Sequence, residues 1–118
     1  MLFFSKNRIF AEIFIIHKKM VKHTVLFKLK EFFSAEEKTR KINQIKLALL
    51  NLKTIIEELQ SIEVGINENP KEQYDIVLTT THNSMDDLQA YAVHPSHQAV
   101  GKIIREVLES RACVDYTF

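Results

Sequence analysis

The order of hydrophobic periodicities along this chain constrains its fold most. Residues His23 to Lys30 alternate, with His23, Val25, Phe27 and Leu29 on one face and Thr24, Leu26 and Lys28 on the other. Ser34 followed by Glu37 forms a capping box, so a helix is expected from Ala35, carried by Ile42, Ile45, Leu49 and Leu52 at spacings of three and four. Its end falls between Leu50 and Glu58, where the register blurs. A second strand is expected over Gln60 to Ile66, then a turn at Asn67, Asn69 and Pro70, then a third strand over Tyr74 to Thr81. Ser84 with Asp87 opens a short helix through Tyr91. A further helix follows, with Val100, Ile103, Ile104, Val107 and Leu108 as its stripe. Ala112 to Phe118 alternates again and closes the chain.

The result is β-α-β-β-α-β with the second helical region broken in two. This is the ferredoxin-like α+β arrangement, a four-stranded antiparallel sheet with helices on one face. Right-handed crossovers place the first and third strands side by side in the middle. The start of the first strand then lies near the end of the third, where the following helices begin, so His23 and His97 are predicted neighbours. Helices cover only one side of such a sheet, yet Leu26 and Val77 make the other side apolar as well. An open face of that kind exceeds the apolar patch that a monomer usually shows. Burial at about 25 cal/mol per Å2 favours pairing two sheets face to face, so a two-fold homodimer is expected.

The densest chemistry lies in Leu88 to His97, where a phenol and two imidazoles meet a helix start. Proline suits a first helical position, so Pro95 makes His94 the expected cap and His97 a first-turn residue. The positive end of the helix dipole disfavours an imidazolium there and leaves a neutral ring available as a base.

Composition excludes several classes. The 118 residues make one domain, and a net charge of +1 argues against a dedicated nucleic-acid binder. A single cysteine, Cys113, rules out an internal disulfide and any CxxC motif, which fits a reducing cytoplasm. Residues 1–19 carry Lys6, Arg8, Lys18 and Lys19 against Glu12, and these charges break every apolar run. The stretch suits neither a membrane span nor a secretory signal. It reads as an amino-terminal extension before a domain over 20–118. It is either a short amphipathic helix through Ile9, Phe10, Ile13, Phe14 and His17, or an over-extended start preceding Met20.

From Val21 to Phe118 the chain resembles the stress-responsive dimeric α/β-barrel (Dabb) family. The resemblance rests on an ordered set: Lys22-His23, Val64-Gly65 with Asn67, Tyr74-Asp75, Tyr91, His94-Pro95, His97 and Val114-Asp115. It implies a homodimer whose sheets form a barrel, with a small pocket between each sheet and its helices. The family includes plant stress-induced proteins and a plant polyketide cyclase, whose histidine and tyrosine side chains match His23, Tyr91 and His97. That cyclase has a further histidine where this chain has Asp75. Related dimeric barrels include cofactor-independent monooxygenases and haem proteins, so the resemblance also implies a monooxygenase-like barrel as a further functional alternative.

Two functional readings follow. In one, the pocket binds a small, largely apolar molecule through His23, Val25, Phe27, Tyr91, His94 and His97, with no reaction assigned. In the other, the chain is a cofactor-free cyclase or isomerase with His97 as base, Tyr91 as oxyanion donor and His23 as orienter. The bland alternatives are a core-packed Tyr91, a His97 bonded within the helix entry and a His23 satisfied at a strand end. A metal site from His94, His97 and His23 is disfavoured by the intervening proline and the lack of an adjacent carboxylate. Asp75 is expected to make a turn or edge hydrogen bond and Asp115 to pair with a basic group on the neighbouring strand. Cys113 reads as an inert, half-buried thiol, and Gly65 as a bulge or a close backbone approach.

Overall fold

The computed structural model describes residues 19–118. The extension over 1–19, and with it the expected alternatives of an amphipathic helix or an over-extended start, lies outside the described residues apart from Lys19. Four strands, β1 (Val21–Leu29), β2 (Ser61–Ile66), β3 (Ile76–His82) and β4 (Leu108–Thr117), form one antiparallel sheet in the order β2-β3-β1-β4. The helices are α1 (Ala35–Asn51), α2 (Met85–Val93) and α3 (Pro95–Arg105), with a 3-10 turn over Leu52–Thr54 after α1. The first and third strands are central, as the crossover argument requires.

Local chemistry explains the helix starts. The Ser34 hydroxyl accepts from the Glu37 N–H at 3.1 Å, and the Ser84 hydroxyl accepts from the Asp87 N–H at 3.1 Å. Along α1, Ile42, Ile45 and Leu49 turn inward, and Leu52, Ile56 and Leu59 continue the core past the helix end. Ile45 is wholly buried, so its truncation to alanine should cost about 2–5 kcal/mol.

Strict alternation in β1 sends Val21, His23, Val25, Phe27 and Leu29 to the helix side, all buried. The register aligns His23 with Thr80 on β3 and with Asp115 on β4. It also turns the apolar residues of β4 outward. Ala112, Val114 and Tyr116 pair with Leu26, Thr24 and Lys22 on the face without helices, whereas Arg111, Cys113 and Asp115 share the helix face.

Several expected boundaries change. The α3 helix stops at Arg105, so Val107 and Leu108 leave its stripe, and β4 begins at Leu108 rather than Ala112. The cause is tertiary. The last residues of β1 need a partner, supplied by Leu29 against Leu108 and by the Lys30 N–H donating to the Val107 carbonyl at 2.8 Å. A bulge between Lys28 and Leu29 absorbs the offset. The third strand runs Ile76 to His82 instead of Tyr74 to Thr81, because Asn67 and Asp75 close the turn through a backbone hydrogen bond. Gly65 marks no bulge, since β2 and β3 pair without interruption. It marks a close approach: a Cβ there would meet Val77 Cγ1 at 2.8 Å.

Candidate functional site

A cavity of about 320 Å3 lies between the helix face of the sheet and α3. Its apolar wall is Val25, Phe27, Leu49, Leu78, Val100 and Ile104, and its polar rim is His23, His97, Arg105 and Arg111. The volume sits at the small end of ligand pockets, which run from about 300 Å3 upward.

The break between α2 and α3 builds one edge. Pro95 forces His94 into an extended conformation, and the His94 Nδ1 then accepts from the Ser96 N–H at 3.0 Å. His94 therefore serves as the cap expected of it, with its ring committed to the turn. One residue pair later, His97 swings back over Tyr91, their ring centres 4.5 Å apart. Tyr91 stands behind His97 rather than on the cavity wall and is 1% exposed. Its ring also meets His82 at 4.9 Å and His23 at 6.4 Å. Residues 74 positions apart, His23 and His97, thus share one pocket edge.

Two polar atoms in this cluster stand out. Among the described residues, the Tyr91 hydroxyl and His97 Nδ1 are buried side-chain atoms without a hydrogen-bond partner. Buried polar groups are nearly always paired, so two orphans in touching side chains set this cluster apart from the core. Burial lowers the pKa of His97, and the nearby charges of His23, Arg111 and Arg105 act in the same direction; only the Ala92 carbonyl opposes them. The ring is held neutral, as its place in the first turn of α3 suggests. Burial pushes the pKa of the Tyr91 hydroxyl up, so it keeps its proton and the capacity to donate.

His23 faces the cavity as expected, and its Nδ1 lies 2.5 Å from Asp115 Oδ1. A carboxylate accepts only, so Nδ1 carries the proton and donates to Asp115. The Cys113 thiol lies 3.5 Å from the same nitrogen, and the residue is exposed rather than half-buried, because no helix covers the edge strand β4. Burial of the thiol group and the Asp115 carboxylate raise its pKa, in keeping with an inert thiol.

His23, Cys113 and Asp115 offer ligand atoms within 4.8 Å of one another. The 2.5 Å contact is shorter than the separation of two donors on one zinc ion, and it describes a hydrogen-bonded pair. Asp75 has no part in the cavity. It accepts from the Leu29 N–H at 2.7 Å and pairs with Lys38 at 2.9 Å, at the other end of β1 from His23.

Sequence reasoning passed over His82. It is fully buried, its Nδ1 donating to the Glu58 carbonyl at 2.9 Å and its Nε2 accepting from the Thr80 hydroxyl at 2.9 Å. Burial lowers its pKa, the Glu58 bond notwithstanding. The available signal was topological: the end of the third strand lies beside the start of the first, which puts His82 next to His23. Asp115 pairs with a basic group on the neighbouring strand as expected, and naming that group as His23 needed the β1–β4 register.

A ferredoxin-like α+β layer with a histidine-edged cavity under its helices defines the structural class. The family model for the Stress responsive A/B Barrel Domain matches residues 21–118, and the chain belongs to that family. Olivetolic acid cyclase from Cannabis sativa is 27% identical over 100 residues, which cover 82% of this chain and 95% of the cyclase. A dimeric protein of unknown function with a ferredoxin-like fold from Bacteroides fragilis is 48% identical, with a TM-score of 0.80 over 84% of this chain and 96% of that one. Hydroxynitrile lyase from Passiflora edulis shares the fold at 20% identity, with a TM-score of 0.73 over 86% of this chain and 94% of the lyase. Among the described residues, no helix is long and apolar enough to cross a membrane.

Proposed function

We propose that the chain binds a small, largely apolar, carbonyl-bearing molecule in this cavity and moves a proton on it without a cofactor. The observation that carries the reading is the pair of orphaned atoms, the Tyr91 hydroxyl and His97 Nδ1, on touching rings beside an apolar chamber. A neutral imidazole removes a proton next to a carbonyl. The Tyr91 phenol, which stays protonated behind the His97 ring, donates to the resulting enolate oxygen once the guest reaches past that ring. His23, fixed by Asp115, presents its other nitrogen toward the guest and orients it. The similarity to a cyclase supports this class of chemistry. The same cyclisation is not carried over, because Asp75 is committed to Leu29 and Lys38.

The protein works as a homodimer, in this reading within a reducing cytoplasm. Its sheet presents Leu26, Val77, Ala112, Val114 and Tyr116 on the face without helices, and the relative from Bacteroides fragilis is dimeric. Val114 is 57% exposed and Tyr116 46%, so pairing two such faces removes a large apolar area from water.

Deuterium exchange at the α-carbon of small apolar ketones in heavy water, followed by NMR, tests the chemistry. Wild-type protein should accelerate exchange, and His97→Ala should reduce the acceleration about 100-fold or more. Ketones that bind, as seen by chemical-shift changes at His97, yet exchange at the buffer rate leave binding alone and overturn the catalytic part. Sedimentation at micromolar concentration as a single subunit overturns the dimer.

A further inference from the structure

Two arginines face the same cavity, and among the described residues neither pairs with a carboxylate. Arg105 ends α3 and Arg111 lies on β4 opposite Phe27, and both line the chamber that His23 and His97 edge. The ion pairs among the described residues are His23–Asp115, Lys28–Glu109 and Lys38–Asp75, and neither arginine belongs to one. The one carboxylate on the helix face of β4 near Arg111, Asp115, is bonded to His23.

Gly101 adds an independent sign. It sits inside α3 one turn before Arg105 and also lines the cavity. A glycine inside a helix costs about 1 kcal/mol relative to alanine, so its presence calls for a reason. Here a Cβ would approach Arg105 Nη1 to 3.1 Å. The bare glycine leaves the guanidinium room along the helix at the cavity rim, where an added Cβ would make it give by a few tenths of an ångström.

We propose that the guest is a small carboxylic acid, its carboxylate held by Arg105 and Arg111 and its apolar body laid on Val25, Phe27, Leu78 and Val100. This deepens the pocket reading above and rests on it. The guanidinium fork matches the two oxygens of a carboxylate. A phosphate monoester carries nearly twice the charge and asks for more donors than this mostly apolar chamber offers. Both arginines also act against protonation of His97. An anion bound at the rim relaxes that field while leaving the imidazole beside the guest.

Naphthoate, naphthamide and naphthyl phosphate present one apolar body with three heads, and titration of the full chain by NMR compares them. Naphthoate should bind about tenfold more tightly than naphthamide, a modest margin because both arginines are exposed residues. The Arg105→Gln, Arg111→Gln double variant should erase the difference between acid and amide. Gly101→Ala, which leaves both charges in place, should narrow it only slightly. Equal binding of acid and amide by wild type overturns the carboxylate assignment and leaves the apolar pocket standing. Tighter binding of naphthyl phosphate than of naphthoate also overturns it. If none of the three shifts the resonance of His97, the pocket reading itself falls.

Discussion

Two imidazoles press on the Tyr91 ring from opposite elements, His82 from β3 at 4.9 Å and His97 from α3 at 4.5 Å. Burial pushes both toward the neutral form. They differ in what their nitrogens meet. His82 has both occupied, by the Glu58 carbonyl and the Thr80 hydroxyl, and is sealed from solvent. His97 has a buried nitrogen with no partner and lines a cavity. A perturbed pKa alone does not separate a structural histidine from a working one. Whether the hydrogen-bonding capacity is used up does.

Substitution breaks the comparison most strongly at His82. His82→Ala leaves the Glu58 carbonyl and Thr80 hydroxyl without their partner and opens a void beneath Tyr91, so a loss of about 3 kcal/mol in urea unfolding is expected. His97→Ala removes a half-buried ring that borders the cavity and whose Nδ1 is unpaired, so the loss should be smaller, about 1–2 kcal/mol. Equal losses at the two positions would dissolve the distinction. A smaller version of the same cut is Thr80→Val, which keeps the shape and strips the donor from His82 Nε2. It should cost about 1–2 kcal/mol, read from the same unfolding curves.

The fold and half of the cluster were legible in the sequence, for identifiable reasons. Ser34 and Ser84 announce their helices through short-range hydrogen bonds, and the His94-Pro95 pair fixes a helix entry, all within four residues. The meeting of His23 and His97 follows from topology alone. His82 was hidden because a histidine closing a run of three threonines looks like a solvated strand end. Only the packing of Tyr91 and the residues before β2 shows it to be sealed. Arg111 and Asp115 were hidden by alternation itself. By alternation alone the apolar residues of β4 would define its inward face, yet the register turns them outward and leaves the charged set facing the helices. That inversion follows from β4 being an edge strand that the helices do not cover.

Acidity sharpens the comparison further. Both histidines have folded-state pKa values below their ordinary 6.5, so the unfolded chain binds protons first as the pH falls. Their contribution to stability is therefore fully present above about pH 6.5 and is lost as the pH drops through the folded-state values. Each contributes a slope of at most about 1.4 kcal/mol per pH unit. Urea midpoints between pH 7.5 and 5.5 should fall for wild type and fall less steeply for His97→Ala. An unchanged slope in that variant would mean that the His97 ring is not held neutral.

The smallest expected effect carries the opposite sign. Tyr91→Phe deletes a hydroxyl that is buried and unpartnered, while the ring that packs between the two imidazoles stays. An unsatisfied buried hydroxyl is a cost to the folded state, so its removal should leave stability unchanged or raise it by up to about 1 kcal/mol. The same change should slow α-carbon exchange on a ketone about tenfold or more if the hydroxyl donates to an enolate. A gain in stability coupled to a loss of turnover is the signature of a group kept unpaired for a guest. A loss in both would instead mean that the hydroxyl already has a partner in the resting protein, and His97 would then be the cluster's one unfinished contact.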